Sequence, residues 1–192
     1  MSESHESPKE AFQRKCSIFI SLVASMLLVN NLGSQNSGSS AAFLNASAIN
    51  TYAFYQAKTI RQNDMNLTAN TLDAVVDTSP TVNDAVKQVI RDKAEALRTK
   101  AKSYESDPET GEGKKELLAK AKASEVARDT ALEKGPYFDF AGLLLQLSII
   151  LFSVVLITER RTLYLSASAA AILGTLLSMD GFFLFLKIPL LS

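Results

Sequence analysis

The sequence predicts an all-α membrane protein with three transmembrane helices and a long extramembrane helical hairpin between the first and the second. Two apolar runs and a charged middle carry that reading. Phe140 to Ile157 contains no formal charge, and Leu163 to Leu186 is interrupted only by Asp180. At about 1.5 Å of rise per residue, each run is long enough to cross a hydrocarbon core of about 30 Å. Apolar residues make up 47% of the chain but gather near its two ends, so the charged middle cannot share one soluble core with them.

The chain divides into a polar N-terminal tail (1–15), a first transmembrane helix (16–33), an extramembrane helical, coiled-coil-like region (34–136), a second transmembrane helix (137–158), a third (163–186) and a C-terminal tail (187–192). The first span is the shortest. Arg14 and Lys15 precede the run Ser17 to Val29, a layout shared by signal peptides and retained spans, and small residues in Gly33 to Ala42 offer a cleavage site. The basic pair lies far from the start, unlike that of a signal peptide, so the span is read as retained. Lys9, Arg14 and Lys15 then share a face with Arg160 and Arg161. The positive-inside rule makes that face cytoplasmic and the middle region periplasmic. Lys120, Lys122, Arg128 and Lys134, just before the second span, pull the other way.

In the middle, Ala41 to Val76 reads as one helix, with Ile49, Gln56, Ile60, Leu67 and Ala74 near one face and Tyr52 and Ala53 beside them. Tyr52, Phe54 and Tyr55 suit packing against other helices or a place at headgroup level. Thr78-Ser79-Pro80 breaks the pattern, with Ser79 as cap and Pro80 in the first turn of the next helix. There Val86, Ile90, Ala94, Leu97, Ala101 and Tyr104 form a narrow apolar seam that needs a partner. Ser106 to Gly113 is a turn by residue type, and Lys114 to Lys134 is the next helix. The expected product is an antiparallel pairing of Lys87–Tyr104 with Leu117–Thr130, ended by Gly135-Pro136.

Charge excludes several functions. Lys plus Arg and Asp plus Glu number 20 each, and residues 34–136 hold 14 of each sign, so no field favours nucleic acid. Cys16 is alone and reads as a buried small side chain; the single His5 rules out a histidine-based metal cluster within one chain. Gly111-Glu112-Gly113-Lys114-Lys115 lacks the spacing of a phosphate loop and reads as a turn and helix start. Asp107, Glu109 and Glu112 read as helix-dipole partners, not a metal or catalytic site. Asn45-Ala46-Ser47 and Asn66-Leu67-Thr68 match the glycosylation pattern, which matters only on a eukaryotic secretory route. Asp180 is the exceptional ionisable position, because a carboxylate in hydrocarbon must find a partner, protonate or line an aqueous path. Bending toward the interface near Lys187 is the simpler reading; a proton, ion or assembly role is the other. Small residues from Ser166 to Ala171, with Gly174, suit close helix packing.

Tyr52-Ala53-Phe54-Tyr55-Gln56-Ala57-Lys58, the run from Tyr104 to Lys115 and the paired C-terminal spans together resemble a bacterial family of uncharacterised membrane proteins, domain of unknown function 4337, over about Lys15 to Leu186. The resemblance implies a bacterial inner membrane and a helical architecture, and it transfers no catalytic residue.

The function expected is a membrane-anchored helical scaffold or accessory subunit, working as a homo-oligomer or with a membrane-protein partner. Tyr52, Tyr55, Ile90, Leu97 and Tyr104 are its assembly candidates. The alternative is an oligomeric small channel or transporter component using the polar intramembrane position at Asp180. No enzyme, cofactor or nucleic-acid partner is expected, since no nucleophile and base have a usable spacing.

Overall fold

The computed structural model describes residues 7–186 and 188, all four of its helices lying among them. The helices are α1 (Pro8–Thr78), α2 (Asp84–Ser103), α3 (Lys114–Thr158) and α4 (Arg161–Phe183). The readings of His5 and Lys187 fall outside the described residues. The protein is all-α, and α1, α3 and α4 are each long and apolar enough to cross a membrane.

Two expected breaks are absent. The first span and the helix after it are one helix, running unbroken through Gly33 to Ala42. Likewise Gly135-Pro136 does not end a helix; Pro136 lies inside α3. A proline there removes the hydrogen bond to the Leu132 carbonyl. The next two side chains, Tyr137 and Phe138, are each 2% exposed, and their packing holds the helix through the defect.

The chain folds as two units, one made of Met1–Ala42 with Asp129–Ser192 and the other of Phe43–Arg128. In the first, parts of α1, α3 and α4 pack around Val23, Leu145, Phe152 and Ala167. The ring of Phe152 stacks on Phe19 at 5.8 Å and meets Tyr164 edge-on at 5.7 Å. Without a hydrophobic driving force in lipid, such a bundle relies on close approach, and glycine provides it. A Cβ on Gly33 would lie 2.5 Å from the Phe138 ring and 2.7 Å from Phe182, and one on Gly174 would lie 3.0 Å from Leu145. Serine hydroxyls inside the spans donate to backbone carbonyls. Ser17, Ser21 and Ser25 each donate to the carbonyl four residues back, and buried Ser148 donates to the Ala167 carbonyl at 2.8 Å. Glu159, with φ 53°, turns the chain from α3 into α4 and pairs with Lys9 at 2.8 Å.

In the second unit α1 turns inward a different face from the one with the largest apolar residues. Ala48, Thr51, Ala69 and Val76 are buried, with Tyr55, Lys58, Gln62, Met65 and Leu72 half-buried between them. These positions recur at alternating spacings of three and four, a continuous seam. Ile49, Ile60 and Leu67 point away and are about 59–68% exposed. Small and polar residues win the inner face because they let helices approach and hydrogen-bond; bulk alone is a poor guide to burial on a narrow contact.

The partner of that seam also corrects the expected antiparallel pairing of α2 with α3. Both lie against α1. Arg91 and Arg98 of α2 reach Asp77 and Asp73, and Gln62 donates to the Ala101 carbonyl. On α3, Lys114 donates to Gln62, and Glu125 and Arg128 meet Tyr52 and Asn45. As α2 leads into α3 the contacts on α1 therefore move steadily from residue 77 back to residue 45. Between them the Lys114 N–H donates to the Tyr104 carbonyl at 2.9 Å and the Lys115 N–H to the Glu105 carbonyl at 3.1 Å. The turn loops out while the two helices run end to end, both antiparallel to α1. Asn83, not Ser79, caps α2, accepting from the Ala85 N–H at 2.9 Å.

Candidate functional site

The second unit carries the most elaborate surface, where α1 meets the looped-out turn and the start of α3. The turn is set by its residues. Gly111 holds φ at 68°, a conformation costly to any residue with a Cβ. A Cβ on Gly113 would strike the backbone of Ser106 and Asp107. The Glu116 carboxylate accepts from the Ser106 hydroxyl at 2.5 Å and the Asp107 N–H at 3.1 Å, the first of which does most to hold its pKa below the ordinary value. Asp107 in turn accepts from the Thr110 hydroxyl and N–H, and these bonds lower its pKa as well.

Beside this turn lies an open cleft of about 470 Å³. Phe43 and Phe54, both more than 60% exposed, stand on its α1 wall with Asn50 and Lys58; Glu112 and Lys120 face them from the turn and α3. Lys58 approaches Glu112 at 3.8 Å and lies 5.7 Å from the Tyr104 ring centre. Two ammonium groups, one carboxylate and two uncovered aromatic rings make a surface suited to an amphipathic segment with acidic side chains. Sequence reasoning passed over this cleft. Its signal is the pair of exposed aromatics, Phe43 and Phe54, that flank the small-residue seam of α1.

The assembly candidates are engaged within the chain. Tyr52 donates to Glu125 at 3.1 Å, and burial first, then Glu125, raises the phenol pKa. Lys114 lies 5.7 Å from the Tyr55 ring centre while bonding Gln62 and Glu105, so it is spent on structure and is not held for a phosphate. Ile90, Leu97 and Tyr104 are half-buried in the same unit. Asp180 stands in the other unit, 8% exposed, with its Oδ1 accepting from the Leu186 N–H at 2.9 Å. Its backbone carbonyl accepts from the Leu184 N–H, where α4 ends in a left-handed residue. The Asp180 side chain thus fastens the end of α4, and among the described residues its buried Oδ2 has no hydrogen-bond partner. Among the described residues no three His, Cys, Asp or Glu side chains are grouped to hold a metal.

Residues 12–184 match the family described as domain of unknown function (DUF4337). The chain belongs to that family. No curated protein and no solved structure matches it. The DUF4337 match spans both units, all three apolar helices and the looped-out turn, and the protein is a membrane protein of unknown function with several apolar helices.

Proposed function

We propose that this DUF4337 protein is a membrane-anchored helical scaffold or accessory subunit. The observation that carries the reading is the outward stripe of Ile49, Ile60 and Leu67 on α1, each more than half exposed on a unit whose own seam is already filled. A second copy or a membrane-protein partner laid along that stripe removes it from water. The chemistry of the charged unit favours contact over catalysis, and no enzymatic or cofactor role is assigned. The setting that fits is a bacterial inner membrane, with the N-terminus cytoplasmic and the middle region periplasmic.

Crosslinking in native membranes tests this. Ile60→Asp with Leu67→Asp is expected to abolish the crosslinked species while leaving the monomer folded; undiminished crosslinking, or a wild type that forms none, defeats the proposal. A second reading, an oligomeric channel component, draws on the buried Oδ2 of Asp180, which has no hydrogen-bond partner among the described residues. Ion flux in reconstituted vesicles that is lost in Asp180→Asn favours it, and equal flux in both removes Asp180 from the pathway.

A further inference from the structure

The outward side of α1 in the charged unit carries a stripe with an order of its own. Ile49, Ala53, Ile60, Leu67 and Ala74 are interspersed with the amides Gln56, Asn63 and Asn70 at alternating spacings of four and three, and every one of these positions is exposed. None carries a formal charge, although Lys58, Arg61, Asp64 and Asp73 lie on the same stretch of helix off the stripe. A face meant only for water holds such charges. Alternating fours and threes give the seven-residue repeat by which one helix keeps a seam turned toward another. The inner seam of α1 follows the same repeat, so the helix carries two seams and its own chain fills one.

The order of side chains within the outer stripe selects the occupant. Gln56, Asn63 and Asn70 follow Ile49 at every seventh residue and share one heptad position, while Ala53, Ile60, Leu67 and Ala74 share the other. When two copies run parallel and in register, each layer is built from one position of both, so amide meets amide and aliphatic meets aliphatic. An amide both donates and accepts, which lets a like pair satisfy itself. Asn70 keeps its N–H groups for this while its Oδ1 accepts from Arg98 at 3.0 Å. In an antiparallel pair each layer joins the two heptad positions, and Ile60 and Leu67 would be set against amides.

Anchoring supplies the parallel direction, because two copies inserted alike in one membrane point the same way. It also fixes the register: a slip of one heptad restores the pattern but moves one copy by about 10 Å along its axis, carrying its spans out of the bilayer. Beside the layers Thr59 stands by Asp64 and Asn66 by Thr71 across the pair, so no like charges meet. The apolar contact is thin, and confinement of both copies to one membrane offsets this by raising their effective concentration. We infer that the outer stripe of α1 takes a second copy of this chain, parallel and in register, with Asn63 paired across the two-fold axis. The inference rests on the scaffold reading above and names its partner.

The test is disulfide crosslinking of the full chain in native membranes, with single cysteines placed on a Cys16→Ala background. Ile60→Cys, Asn63→Cys and Leu67→Cys should each give a disulfide-linked dimer, since layer positions face their own counterparts within the Cα separation of about 4.4–6.8 Å that a disulfide spans. Thr68→Cys, exposed but off the stripe, should give none. Asn63→Asp sets two carboxylates in one layer and should cut the Leu67→Cys dimer by about tenfold or more; residue 63 is exposed within the chain, and an unchanged circular dichroism melt verifies folding. Equal crosslinking at positions 60, 63, 67 and 68, or a Leu67→Cys dimer undiminished by Asn63→Asp, overturns the inference. A chain that forms no disulfide with itself, yet is joined to another protein by an amine-reactive crosslinker, overturns the second copy and leaves the scaffold reading standing. A chain that neither chemistry joins to anything overturns both.

Discussion

The two units bury opposite kinds of side chain. The membrane unit encloses Tyr137, Phe138, Leu145 and Phe152, each at most 2% exposed, whereas the largest fully enclosed apolar side chains of the charged unit are alanines, with Val76 at 3% and Leu117 at 8%. In water a buried methyl contributes roughly 0.8 kcal/mol, so an alanine seam gains little from burial and relies on ion pairs and hydrogen bonds between helices. In lipid the aromatic side chains gain nothing from leaving water and stabilise through contact alone. Size is used where the solvent gives no help, and polarity where the core is thin.

The sharpest way to break this contrast is Phe152→Ala. It removes the ring that joins Phe19 and Tyr164 and is expected to cost about 3 kcal/mol, visible as faster thiol labelling of Cys16, which is 0% exposed, with the charged unit unaffected. Next is Ala101→Leu, which overfills the α1 contact beside Gln62 and should cost about 2 kcal/mol; tryptic cleavage near Arg91 and Lys93 is then faster while Cys16 labelling is unchanged. Arg98→Ala removes the 2.5 Å pair with Asp73 and the bond to Asn70. Since both side chains of that pair are about a third exposed, a loss of about 1 kcal/mol or less is expected in the same cleavage assay.

Acid gives the smallest effect. Glu105, Asp107 and Glu116 have pKa values lowered by their hydrogen bonds in the folded unit. A carboxyl whose folded pKa is lowered contributes stability above its unfolded pKa and loses it as the pH falls through the folded value. The looped-out turn should therefore exchange its amide hydrogens faster, relative to the intrinsic rate, as the pH drops below the ordinary Glu value of 4.5. The membrane unit provides the control.

The spans were legible because uninterrupted apolar length is a direct signature of lipid. What escaped was continuity. Gly33 to Ala42 carries loop composition, yet Ser37 donates to the Ala131 carbonyl and Ala41 is buried, so packing by a distant helix overrides propensity. Pro136 misled for the same reason. Periodicity places Ile49, Gln56, Ile60, Leu67 and Ala74 on one face of α1, and that face is the exposed one, because the buried stripe is carried by alanine, threonine and half-buried polar residues. Asp180 was visible as an oddity, but its bond to the Leu186 N–H depends on a left-handed Leu184 that residue type does not announce.

The bond from Lys114 to Tyr104 closes the rod behind the excursion of residues 105–113, so that excursion is a side branch and not part of the spine. Pro108 and Glu109 at its exposed tip form a splice point where an epitope or protease site can be added without changing helix register. Cleavage there in sealed right-side-out or inverted vesicles would report directly which compartment the charged unit occupies.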